Sequence, residues 1–296
     1  MRYKVSRIVS GKNFDITGMS YIGAPRSNTA MFITKKVEHL LKMLETVADC
    51  LVFTDEDITV PHNLEAIHAF HYSNKPQLAY ARFVTQFAEE RFAEEKKLVF
   101  NLTPGGYYVS SDVAIPKDAY IEPGCVIGPD VQIGENARIF AGAVVRRSTI
   151  GDCFIANEHA IVGANGFTMA DDEDGNKYRI PTMGRVIIGN NVEIGSHNNI
   201  SCGSGGDTVI EDNVKLDSLI HVGHDVHLHK NVEVTAGVTF GGFVNAEEGT
   251  YVGVGSVLRN RITLGEHSFI GMGSNVTKSV EAGVVVAGNP AKPFNK

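Results

Sequence analysis

From position 210 onward an aliphatic or small apolar residue recurs every six positions. The series runs Ile210, Leu216, Val222, Leu228, Val234, Phe240, Ala246, Val252, Leu258, Leu264, Ile270, Val276. A helix needs a repeat near 3.6 and an amphipathic strand a repeat of 2, so neither accommodates twelve hexads in phase. A hexapeptide period is the signature of a parallel β-helix, whose stacked coils bury a column of aliphatic residues. Three hexads make one triangular coil, so residues 18 apart lie above one another at about 4.8 Å, as in any sheet. The residue after each aliphatic one is often small or acidic, as at Glu211, Asp217, Gly223, Gly241, Gly253, Gly265 and Gly271. Glycine there is expected to let the chain turn a tight corner through unusual dihedrals.

The hexads start earlier, at Ile115, Ile121, Ile127, Ile133, Ile139 and Val145, slip in phase, and resume at Ile161. They break again over a loop at 164–187 and return at Ile188, Ile194 and Ile200. Inside the loop, Asp171-Asp-Glu-Asp-Gly-Asn superficially resembles a calcium-binding loop. The required Asp/Asn alternation fails because Ala170 stands at position 1, so a solvated Asp-Gly hairpin tip is expected. Four more residues, Gly206-Asp-Thr-Val, shift the phase once again.

Residues 1–104 lack the hexad and read as a small α/β domain with its own core. Helical spacing marks residues 34–50 (Val37, Leu40, Leu41, Met43, Leu44, Val47) and 78–97 (Ala79, Phe83, Phe87, Phe92). Strands are expected at 51–53 and 66–72, and Thr103-Pro-Gly-Gly reads as the linker to a β-helix over 105–296. A net charge of −7 argues against a nucleic-acid binder. No apolar run is long enough to span a membrane. Cys50, Cys125, Cys153 and Cys202 lack metal or disulfide spacing, which suits reduced thiols in a cytoplasmic protein.

Residues 220–229 contain four histidines, which raises zinc. His221 and His227 are six apart, so they occupy equivalent places on faces turned by about 120° and do not converge within one chain. No metal is therefore expected, although a site shared between subunits of a β-helix trimer stays open. His224 differs, because it follows the rung residue Val222 by two. Asp217, seven residues back, is placed to orient its ring, and Gly242, 18 residues on, stacks a backbone N–H beside it. A base next to an unobstructed donor is the minimum for acyl transfer.

Together with Val162-Gly-Ala-Asn-Gly-Phe, Ile180-Pro-Thr-Met-Gly-Arg and Lys215-Leu-Asp-Ser-Leu-Ile-His-Val-Gly-His-Asp-Val, these residues carry a family likeness. The chain resembles the left-handed β-helix acyltransferases, in particular the UDP-3-O-acylglucosamine N-acyltransferases of lipid A biosynthesis. The resemblance implies a left-handed parallel β-helix, a homotrimer with sites between neighbouring helices, and an N-terminal domain that binds the nucleotide of a nucleotide-linked amino sugar. It assigns His224 as general base, Asp217 as its support and Gly242 as oxyanion donor. Phe32 matches the aromatic that stacks on the base, with Asn165, Phe167 and His221 on the substrate side. Lys35 and Val37 stand where the family has Asn and Tyr, which leaves thymidine as an alternative to uridine, and Arg261 replaces a second histidine. The ending Ala287-Gly-Asn-Pro-Ala-Lys-Pro resembles that of coenzyme A-dependent sugar acetyltransferases and lacks the family's docking helices for acyl-carrier protein. The expected co-substrate is therefore acyl-CoA, with Arg259, Arg261 and Lys278 meeting its phosphates and no tightly bound cofactor. The alternatives are the carrier-protein-dependent lipid A enzyme, an O-acyltransferase, and a non-catalytic or zinc-dependent β-helix trimer.

Overall fold

The computed structural model describes residues 2–294 and divides into two units, the first being Met1–Ala93, Phe167–Gly184 and Ser204–Gly206. The second unit is Glu94–Gly166, Arg185–Gly203 and Asp207–Lys296. Two boundaries differ from the sequence expectation. Thr103-Pro-Gly-Gly is no linker but the turn between the antiparallel strands Phe100–Leu102 and Tyr108–Ser110. Most of the 164–187 loop belongs to the first unit, because Ala170 and Ile180 are buried in that unit's core.

In the first unit, Gly18–Met19, Thr29–Ile33, Leu51–Asp55 and Ala69–Ser73 form a four-stranded parallel sheet. The strands are apolar on both faces, as a doubly covered parallel sheet requires. Phe53 packs one face with Tyr80, Phe83 and Phe87 of the helix Pro76–Glu95. Met31, Ile33 and Val52 pack the other with Leu41 and Leu44. The helix expected at 34–50 is instead a 3₁₀ segment, Lys35–Thr46, interrupted by non-helical dihedrals at Val37. Its two buried residues, Leu41 and Leu44, are three apart, the spacing that 3₁₀ geometry aligns. The strand expected at 66–72 arrives after a short helix, His62–Ile67. Met169–Asp171 and Lys177–Arg179 form the expected hairpin, with the Asp172 carboxylate accepting the N–H groups of Asp174 and Asn176.

His68 is fully buried, accepting the Cys50 N–H at Nδ1 (3.2 Å) and contacting the Leu44 carbonyl through Nε2 (3.1 Å). Burial, the largest influence, holds its pKa below the ordinary 6.5. The folded chain then binds fewer protons here than the unfolded chain, so this stability is intact above 6.5 and is lost as pH falls below it. Melting temperatures at about pH 7.5 and about pH 5.5 should show a drop at the lower pH, and that drop should shrink in His68→Gln. An equal drop in both proteins would assign the acid sensitivity elsewhere.

The second unit is the parallel β-helix, with three sheets of ten, seven and ten strands. Pairs such as Val222 on Phe240 and Leu228 on Ala246 keep the 18-residue register. The phase slip is one residue, with Val145 on Val162, and the loop lengthens one coil so that Ile150 pairs with Ile188. The core holds a second column that the hexad count alone does not show. Val214, Ile220, Val226, Val232, Val238 and Val244, each two residues before a rung residue, are also buried. Burying one such side chain stabilises by about 1.5–3 kcal/mol.

The small residue after each rung serves a purpose other than the one expected. Gly223 does not adopt a positive φ; a Cβ there would stand 2.8 Å from the Phe240 carbonyl oxygen of the next coil. The left-handed corners come two residues later, at Leu219, Asp225, Asn231, Phe243 and Arg261 among others. Close approach between coils, rather than dihedral freedom, selects glycine at that position.

Candidate active site

His224 sits at the corner that follows the strand His221–Val222, and its side chain is 16% exposed. The corner residue Asp225 takes φ of 58°, which turns its carboxylate back toward the preceding residue. His224 Nδ1 lies 2.8 Å from Asp225 Oδ2, and that carboxylate is 1% exposed. The Asp225 N–H donates to Thr208 Oγ1 at 3.0 Å, holding the corner. An Nδ1–H given to a buried carboxylate fixes the tautomer and places the imidazole's basic lone pair on Nε2.

Gly242 borders that nitrogen. A Cβ on Gly242 would fall 2.7 Å from both Nε2 and Cε1 of His224, so only glycine leaves the ring its place. The Gly242 N–H meets no backbone carbonyl among the described residues, while its carbonyl accepts the Arg261 N–H at 3.0 Å. Phe243 meets the His224 ring edge-on at 5.1 Å between centroids. Arg261 lies over the Phe243 ring, its Cζ 4.1 Å from the centroid. Gly166 closes another side, since a Cβ there would stand 2.9 Å from His224 Cβ.

The expected residues therefore divide. His224, Gly242 and Arg261 come together. Asp217 does not support His224 within the chain: it is exposed, and its carboxylate accepts the adjacent Ser218 N–H at 2.7 Å. Asp225 takes that place. The hexad argument passed over Asp225 because neighbouring residues normally point apart, and only the left-handed corner brings its side chain back. His221 is exposed on its strand, and its pKa is pulled below the ordinary value, first by partial burial and then by His224. Asn165 is exposed and accepts from Arg147 at 2.7 Å. Arg259 is exposed, and Lys278 lines a groove beside Val276 and Val280 on the last coil.

In the first unit, Phe32 is partly buried, its ring tilted against Tyr80 at 5.3 Å, and so belongs in part to the core. Phe167 is 75% exposed beneath the Arg179 guanidinium, 5.2 Å from its Cζ. Lys35 reaches the Asp57 carbonyl at 2.9 Å and Glu38 at 2.8 Å.

What this geometry offers is an Asp–His pair beside a backbone donor, the parts of a general base and an oxyanion stabiliser.

The family model of bacterial transferase hexapeptide repeats (six repeats) matches residues 112–147. A UDP-3-O-acylglucosamine N-acyltransferase of Hydrogenovibrio crunogenus is 38% identical over 112 residues, which are 38% of this chain and 32% of that protein. One of Coxiella burnetii is 31% identical over 185 residues, 55% of this chain and 51% of that protein. This chain thus spans from about a third to about half of the length of these relatives. Among solved structures, the UDP-N-acetylglucosamine acyltransferase of Campylobacter jejuni superposes with a TM-score of 0.58 at 25% identity, over 66% of this chain and 74% of that one. The chain is similar in sequence and fold to the hexapeptide-repeat, left-handed β-helix acyltransferases.

Proposed function

We propose that this hexapeptide-repeat β-helix protein is an N-acyltransferase that moves an acyl group from a thioester to the amine of a nucleotide-linked amino sugar. The observation that carries the reading is His224, paired with buried Asp225 and bordered at Nε2 by Gly242. The amine nitrogen attacks the thioester carbonyl carbon, forming C–N, while His224 Nε2 takes the amine proton. The carbonyl oxygen becomes the tetrahedral oxyanion, stabilised by the Gly242 N–H. Collapse breaks C–S, and the proton held by His224 passes to the departing thiolate. One such oxyanion donor is worth ~10²–10³ in rate.

Nucleotide-linked amino sugar is the acceptor class supported by the relatives, which are UDP-3-O-acylglucosamine N-acyltransferases. Phe32 stacks on the base in this reading, and Lys35 in place of the family's Asn leaves uracil and thymine to be distinguished by assay. Asn165, Phe167 and His221 hold the sugar side. Acyl-CoA is the donor we favour, because Arg261 beside the dyad and Arg259 two residues away suit phosphate groups. A homotrimer supplies the second wall of the site. Exposed Val254 and Met272, 18 residues apart on one corner of the helix, offer an apolar edge for chain–chain contact.

Thiol release measured across UDP- and dTDP-linked amino sugars, with one acyl chain on CoA and on carrier protein, tests the reading. We expect turnover with an amino sugar nucleotide and acyl-CoA. Faster turnover with the carrier-protein thioester at equal concentration would overturn the donor assignment. No thiol release with any pair, from a protein that melts cooperatively, would overturn the activity.

A further inference from the structure

The outward face of the seven-stranded sheet carries a second set of titratable groups, away from the His224 corner. His227 and His229 both point outward because Leu228 between them points into the core. Glu211 stands on the previous coil and Glu247 on the next, in line with His229 through the Glu211 N–H to Leu228 and His229 N–H to Ala246 hydrogen bonds. The two imidazoles stack 3.8 Å apart at 21°. Glu211 Oε1 lies 2.8 Å from His227 Nε2 and 3.2 Å from His229 Nδ1. Its other oxygen accepts the Lys230 N–H at 3.2 Å, which holds the carboxylate in place.

The Asn245 Nδ2 donates to Glu247 Oε1, so Asn245 Oδ1 is the atom 3.0 Å from His229 Nε2, and Nε2 carries the hydrogen. His229 Nδ1 and His227 Nε2 face the same Glu211 oxygen. A metal ion seated between these three atoms would take a lone pair from each.

We propose that Glu211, His227 and His229 form a zinc site within one chain. The three ligand atoms lie within 4.8 Å of one another. Tetrahedral zinc with bonds of about 2.0–2.2 Å sets its ligands roughly 3.4 Å apart, so opening the site requires Glu211 to draw back from His227 and the stacked rings to turn toward a common point. Two imidazoles and a carboxylate suit zinc over magnesium or calcium. The His229 Nε2–H given to Asn245 is the outer hydrogen bond that metal-bound histidines usually make. Because its ligands come from two consecutive coils, the ion would clamp them together.

The full chain, stripped with chelator, should bind one zinc ion in competition with a chromophoric chelator, and cobalt should give the absorption of a tetrahedral site. Glu211→Gln and His229→Ala should each weaken zinc by at least ~10-fold while the thermal melt stays cooperative. Cys153→Ser, which removes the exposed thiol, should leave zinc affinity unchanged. Absence of stoichiometric zinc, affinity unaltered by both ligand substitutions, or affinity lost with Cys153 would each overturn the proposal.

Discussion

His224→Ala should lower turnover by at least ~10²-fold with little change in melting temperature. The side chain is partly exposed at a corner, so its removal opens little core. The loss should appear in kcat more than in KM, because the proton moves only as the C–N bond forms. Asp225→Asn should produce an intermediate loss: the amide still reaches Nδ1, but the negative charge that steadies the imidazolium is gone. Asp217→Asn should leave the rate nearly unchanged, since that carboxylate caps Ser218. If His224→Ala turns over at a near-normal rate with saturating substrate, the amine arrives neutral, the thiolate collects its proton, and the base assignment fails. If Asp217→Asn is the damaging one of the two, the supporting carboxylate comes from a neighbouring chain.

Gly163→Ala should cost on the order of 3–5 kcal/mol in stability, among the largest effects of any single methyl in this chain. Gly163 sits at a bulge where the pairing of Val162 and Ala164 with the next coil shifts register. Its φ is 89°, a conformation L residues rarely adopt, and an added Cβ would overlap the Arg146 carbonyl oxygen. Both obstacles are backbone, so no rotamer change relieves them. The same bulge leads into Asn165 and Gly166, and Gly166 packs on His224. Activity should therefore fall with stability. Urea unfolding of the variant within about 1 kcal/mol of the parent would show that the bulge relaxes, and that the site does not depend on its geometry.

The hexad alone determined the β-helix, its 18-residue register and the candidate pair His224 and Gly242. Each of those is a matter of counting residues along a fixed period, and a period is local information. The interruptions were legible for the same reason: the slip near Val145 and the loop at 164–187 are missing beats. What the count left out depends on direction rather than position. Asp225 reaches His224 only because its corner is left-handed, and glycine follows the rung residue because another coil passes within contact of it. The loop's attachment to the first unit, and the meeting of Glu211 with His227 and His229, join residues through packing against partners far away in sequence or on another coil. No local period encodes such meetings, because each is decided by where folded backbone has placed two side chains in space.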